Sequence, residues 1–407
     1  MELIFYIGTH RLAGLVIETS GGSARVVRSA EIQNAEGFQK GGVDQLEKAL
    51  ASMGELVKRL ELGEEALEIP AYVVLSNSRL KMTRFSSSIY YSGYPRVVTS
   101  GEIQQVIEQT RNVAPLPLQD WILQTIPESF WVNDMTGVQD PTGLEAQRLA
   151  VTLQIFSTDY SAFRNVSRIF EALEFNIKGY YPKTFFLPEG VLHVNEKEGE
   201  ALIIDLSDEA THLILTREGK IVQTKSFDWG SRLLGSRIAE TWQISLRDAQ
   251  CLKERFGSLE TNLQFGEELI PLVERGGRET RQIKRAEFHK AFLGFGEELV
   301  HQIEKETQQF LKEEKVGSPA FILTGGGAKL EGILEILGRR FSSSVRLGTP
   351  RASGVPSQIL MDSAWTGPLS LLDWVARQTK EESVSFAKIN LFGRVFLQAK
   401  EWFAAYF

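Results

Sequence analysis

The chain has a single cysteine, Cys251, in 407 residues. That excludes an internal disulfide and fits a reducing, cytoplasmic setting. Histidine is scarce as well. The five are scattered, and although His10 and His212 fall near turns discussed below, no metal cluster can be read from them. Basic residues are outnumbered: 45 Lys and Arg against 52 Asp and Glu give a net charge of -7, which argues against a broad nucleic-acid footprint. No run approaches the roughly 20 apolar residues that span a bilayer. The N-terminus has neither a basic region nor a long apolar stretch, so no secretory signal is expected. Any membrane contact should therefore be peripheral.

What remains is ordinary globular composition, 43% hydrophobic, with length for two core-forming halves. The most informative stretch is FILTGGGAKLEG, Phe321 to Gly332. An apolar strand runs into three glycines and then the start of a helix. Glycine lets backbone amides approach a phosphate or a purine ring, and a helix N-terminus adds partial positive charge. Thr324, Gly325, Gly326 and Gly327 are candidate nucleotide contacts. The same loop would also serve as a tightly packed turn.

Two hairpins could supply the other side of such a site. Leu3 to Ile7 is an apolar strand, Gly8 and Thr9 a turn, and Leu12 to Ile17 a second strand. Leu202 to Leu206 and Leu213 to Thr216 repeat the pattern. Helices are expected over Val43–Leu60, Ser100–Asn112, Asp159–Leu173, Ser245–Phe256 (with Ser245 as N-cap) and Glu287–Lys312, from 3.6-residue periodicity and capping. Residues 260–285 read as an exposed hairpin and loop.

These motifs resemble the FtsA family of actin-like bacterial division proteins. The resemblance rests on GFQKGGV (Gly37–Val43), VTSGEIQQVIEQTRNV (Val98–Val113), TIPESFWVND, DPTGLEAQRL ending at Leu149, TGGGAKLEG and VRLGTP (Val345–Pro350), in family order. It implies an α/β fold of the actin-like ATPase class. Two RNase H-like halves would carry an FtsA-type inserted subdomain and a C-terminal amphipathic helix. The expected division is a first core of residues 1–80, 154–190 and 350–377, with the insertion at 81–153. The second core is 191–230 with 313–349, a smaller unit is 231–312, a linker is 378–387 and the terminal helix is 388–407.

The resemblance also implies an ATP or ADP site formed by Gly8, Thr9, Asp205, Lys253, Thr324, Gly325, Gly326 and Gly327. In the family each hairpin carries an aspartate that helps hold magnesium, and its glycine tip faces phosphate. Here the first hairpin reads Tyr6, Ile7, Gly8 and Thr9, so its carboxylate is gone. The second reads Asp205, Leu206, Ser207, Asp208, Glu209 and Ala210. Its aspartate remains but its glycines do not. Two like charges about 5 Å apart repel by roughly 3 kcal/mol at an effective dielectric of about 20. Asp208 and Glu209 are thus expected to oppose a triphosphate, leaving ATP binding weak or absent and hydrolysis negligible. Gln250 and Lys253 stand where the family commonly has Glu and Lys. No candidate for a catalytic aspartate beside a sugar pocket is found, which disfavours a kinase.

The tail KINLFGRVFLQAKEWFAAYF follows a polar linker, QTKEESVS. Phe392, Val395, Phe396, Trp402, Phe403 and Tyr406 fall on one helical face, with Arg394 opposite and Lys400 at its rim. Such a helix can lie flat at a lipid headgroup layer or pack on the protein's own core; the resemblance favours the membrane. It further implies binding of the FtsZ C-terminal peptide, head-to-tail self-assembly, other divisome partners through the insertion, no nucleic acid, and a place at the division site on the inner membrane face. The alternative is a PilM-like adaptor of a type IV pilus or secretion platform.

Overall fold

The computed structural model describes residues 1–9, 11–273 and 280–377. Its first sheet is built on β1 (Glu2–Ile7), whose six residues are all buried. A continuous apolar strand is what a sheet covered on both faces requires. β1 pairs antiparallel with β2 (Arg11–Ser20), which pairs with β3 (Ser23–Gln33). On its other edge β1 runs parallel to β4 (Ala71–Leu75), and β4 to β5 (Ile177–Pro182). The order is β5-β4-β1-β2-β3.

The second half repeats this plan. β6 (Glu200–Leu206) pairs antiparallel with β7 (Thr211–Arg217), and β7 with β8 (Lys220–Phe227). β6 also runs parallel to β9 (Ala320–Thr324), and β9 to β10 (Val345–Leu347). The order is β8-β7-β6-β9-β10, the same arrangement of three antiparallel strands and two parallel ones.

Strand periodicity sorts the side chains. Leu3, Phe5 and Ile7 face an outer core with the helices Leu46–Arg59 and Tyr160–Ala172. Leu202, Ile204 and Leu206 face the outer core of the second half. The alternate residues Ile4, Tyr6, Ala201 and Ile203 face a shared layer between the halves. That layer is filled by the helix Lys183–Val191 and by the segment from Trp365 to Ala376. Asp205 continues the inward row of β6, as Tyr6 ends that of β1. Period two alone therefore brings Tyr6 and Asp205 to opposite sides of one gap, where the Lys183 helix begins.

The insertion is a four-stranded antiparallel sheet of Met135–Val138, Asp120–Val132, Arg148–Asp159 and Lys81–Tyr90. Ser100–Val113 packs on it, started by a reciprocal cap between Thr99 and Glu102. The strand Arg148–Asp159 runs through the expected boundary at 153, so the insertion is rooted in the first half by unbroken backbone.

Within residues 231–312, Leu234, Trp242, Leu252 and Phe292 share a core with β6, β7 and β9. One expectation changes. The stretch expected to be exposed contains the ribbon Leu269–Val273 and Thr280–Lys284, in which Ile270 and Leu272 are buried. Alternation explains this, because Ile270, Leu272 and Ile283 fall on the face that joins the core with the helix Arg285–Glu313, while Leu269 and Lys284 lie outward. The terminal helix and its membrane residues, like the linker, lie outside the described residues. Among the described residues no helix is long and apolar enough to cross a membrane.

Candidate functional site: the cleft between the halves

The hairpin tips β1–β2 and β6–β7 converge on a cleft of about 610 Å³. Its walls include Gly8, Thr9, Lys253, Gly325, Gly326 and Gly327. Six of the eight nucleotide candidates thus share one cavity. Asp205 and Thr324 do not reach its surface; both are fully buried. Thr324 donates its hydroxyl to the Gly348 carbonyl at 2.8 Å and lies 2.7 Å from the Thr366 hydroxyl. Its role is to fix the loop.

The glycines of that loop have different tasks. Gly325 has φ +88°, and a Cβ there would stand 2.5 Å from Asp205 Oδ1. A Cβ on Gly327 would meet the Leu206 side chain at 2.5 Å. Both are glycines because the neighbouring hairpin fills their side-chain space. Gly326 is exposed, and its Cβ would meet nothing nearer than Ala364 at 4.0 Å. Of the three it alone is free to face a ligand without a packing duty. Nearby, burial pulls the pKa of the partly buried Lys253 below its ordinary value, against the pull of Asp208 and Glu254.

The hairpin end is closed. The Gly8 amide donates to the Arg11 carbonyl at 3.0 Å and the Ser207 amide to the Ala210 carbonyl at 2.9 Å. Both amides are engaged in their own turns. Asp208 and Glu209 are not two bare carboxylates facing the cavity, as their place in the sequence suggested. Arg232 lies 3.4 Å from Asp208 Oδ2 and 3.3 Å from Glu209 Oε1. Glu209 also accepts the Lys40 amide at 2.6 Å and does not line the cleft. Lys40 belongs to the Gly37–Val43 turn of the first half, and its Nζ is 2.7 Å from Asp228 Oδ2. Burial opposes ionisation of Asp228, but hydrogen bonds from Lys40 and Ser78 prevail and hold its carboxyl below the usual range.

The floor of the gap holds a residue that sequence reasoning missed. Lys183, the first residue of its helix, is buried, with Nζ 2.5 Å from Asp205 Oδ2. The same ammonium donates to Ser207 Oγ at 3.0 Å and lies 3.5 Å from the Tyr6 hydroxyl. Burial works against its charge, but Asp205 and Tyr6 outweigh that and raise its pKa above the ordinary lysine value. A lysine at a helix N-terminus is also placed against the helix dipole. Asp205 offsets both penalties. Beside it, His212 pairs in register with Asp205, and its Nδ1 is 2.8 Å from Ser226 Oγ. Burial lowers its pKa to about 4, so the imidazole is neutral. Arg11 closes the near wall against Glu31 and the Ala364 carbonyl, with its guanidinium 4.8 Å over the Trp365 ring.

The actin-like plan would place a divalent cation and a nucleotide here. The residues at the hairpin end do not fit a divalent ion. Asp205 is paired with an ammonium, Tyr6 replaces the second carboxylate, and among the described residues no group of three or more acidic, His or Cys side chains could hold a metal. At the loop end the exposed Gly326 leaves the cleft open.

A family model for cell division protein FtsA matches residues 202–368, and one for the SHS2 domain inserted in FtsA matches residues 78–157. The two do not overlap and together span more than half of the chain. The chain belongs to the FtsA family. FtsA of Escherichia coli K12 is 22% identical over 351 residues, covering 84% of this chain and 83% of that one. FtsA of Borreliella burgdorferi is 21% identical over 400 residues, covering 98% and 96%. Among solved structures, a PilM–PilN type IV pilus biogenesis complex aligns with TM-score 0.65 at 16% identity, covering 92% of this chain and 98% of that one. MreB 5 of Spiroplasma citri bound to AMPPNP aligns with TM-score 0.50 at 11% identity, covering 95% and 99%. These likenesses show the actin-like fold. With the inserted domain they make this chain an FtsA-type actin-like protein.

Proposed function

We propose that this chain is a division scaffold that holds FtsZ filaments to the cytoplasmic membrane, with weak or absent ATP binding. The observation that carries the reading is the ordered match of both FtsA family models, insertion first and second half after it. The FtsZ C-terminal peptide would bind the second half's smaller unit, near the helix Arg285–Glu313. Residues 388–407 would supply reversible membrane contact, made firmer by head-to-tail self-assembly, because neighbouring tails then bind as if tethered. The insertion would receive other divisome proteins. The cleft would act as a structural joint rather than as a hydrolytic site.

Calorimetry with the FtsZ C-terminal peptide tests the partner. Binding in the micromolar range is expected for a short peptide that orders on docking. No heat with that peptide, together with binding of a pilus-platform peptide, would favour the PilM-like adaptor. Vesicle sedimentation tests the tail. Deleting residues 388–407 should abolish pelleting with anionic vesicles while the fold persists, and so should Phe396→Asp with Trp402→Asp. Undiminished pelleting by the truncated chain would remove the membrane role from this segment.

A further inference from the structure

We propose that the Lys183 ammonium is the resident cation of the inter-hairpin gap, taking the place a divalent metal would need and pinning the two halves together without metal. The inference rests on the cleft geometry and stands whether or not FtsZ is the partner.

An ammonium has three N–H donors and no acceptor. Lys183 has three oxygens around it: Asp205 at 2.5 Å, Ser207 at 3.0 Å and Tyr6 at 3.5 Å. No donor is left over to reach into the cleft for a phosphate, so Lys183 is not placed as a phosphate ligand. Its partners come from both halves: Tyr6 from β1 on one side, Asp205 and Ser207 from the β6 hairpin on the other. The ammonium therefore joins the two sheets as a bridging metal would, at fixed charge.

The surroundings leave little uncompensated charge for a second cation. Asp205 Oδ1 is buried and would stand 2.5 Å from a Cβ on Gly325, so that oxygen is covered. A divalent ion bound to Asp205 would lie beside the ammonium, with no carboxylate on Tyr6 to offset the repulsion. The next acidic groups already have organic cations: Asp208 and Glu209 have Arg232, and Glu31 has Arg11. Off the cleft walls, Lys40 repeats the device by joining the first half to Glu209 and Asp228. Two lysines, one buried and one exposed, thus span the gap at two depths. A nucleotide entering this cleft would bind without a divalent ion, by its purine at the loop end.

Thermal unfolding of the full chain tests this, using Mg²⁺ and Mn²⁺ as the probes. The native protein should unfold within about 1 °C of the same midpoint with either ion or with a chelator, because a ligand without a site does not stabilise. Lys183→Met should lower the midpoint by about 5 °C or more, since it leaves Asp205 buried without a partner. Adding Asp205→Asn to it should restore most of that loss, a coupling that a merely space-filling lysine would not show. Lys183→Ala, which opens the carboxylate, should gain stability from Mn²⁺ where the native chain does not. A native midpoint that rises with Mg²⁺ or Mn²⁺ would overturn the proposal. So would a Lys183→Met protein as stable as the native one. If the single variants do not fold, a stable double variant supports the pairing, and an unstable one together with a metal-responsive native chain sinks it.

Discussion

The two ends of the cleft differ. At the loop end Gly325, Gly326 and Gly327 line the cleft wall, with Thr324 buried behind them. At the hairpin end the tips are closed on themselves and the gap is filled by Lys183. The loop end persists in part because its glycines pack against the hairpin end: Gly325 against Asp205 and Leu206, Gly327 against Leu206. A glycine-rich loop can therefore be required by packing alone. The lesson is that TGGGA in this chain is weak testimony for ligand binding, except at Gly326, which has no packing duty.

The largest expected effect separates the two ends directly. Lys183→Met should cost about 3–5 kcal/mol in urea unfolding, as expected when one partner of a buried ion pair is removed. A loss below about 1 kcal/mol would mean that the hairpin end is not held by charge. The next effect is pH dependence at the same end. The His212 pKa falls from 6.5 to about 4 on folding. Between those values the unfolded chain takes up a proton that the folded chain does not. The contribution is intact above about pH 6.5 and is lost as pH falls toward 4. From pH 7 to 4.5 the native chain should lose about 2–3 kcal/mol more than His212→Asn. Equal losses would show that His212 is not held neutral.

The loop end sets the smaller effects. Gly325→Ala and Gly327→Ala should each cost about 1–3 kcal/mol, the first through its positive φ and both through overpacking. Gly326→Ala should stay within about 0.5 kcal/mol, as an exposed site with open space. If Gly326→Ala destabilises as much as its neighbours, the division of tasks within the loop is wrong.

Much of the plan was legible because it rests on local periodicity. The helices at Ser100 and Leu246 begin where Thr99 and Ser245 cap them. Tyr6 and Asp205 could be paired because two apolar strands of equal phase end in comparable turns. Lys183 could not be found that way. Its partners lie at positions 6, 205 and 207, and its own neighbours Thr184, Phe185, Phe186 and Leu187 read only as a buried run. A lysine opening an apolar segment was the one available signal. The pairing of Asp208 and Glu209 with Arg232 was hidden for a related reason: the arginine lies beyond the whole β7–β8 hairpin. The ribbon of Leu269–Val273 and Thr280–Lys284 was misjudged because the whole stretch 260–285 is rich in charge, while Ile270 and Leu272 within it are buried.

The central claim is that an ammonium, and not a divalent metal, occupies the gap between the hairpins. The most direct test is calorimetry of the native full-length chain with ATP, once with excess magnesium and once with a chelator. Weak heat that is the same in both titrations, or none in either, is the predicted result. Tight binding that appears only with magnesium would contradict the account.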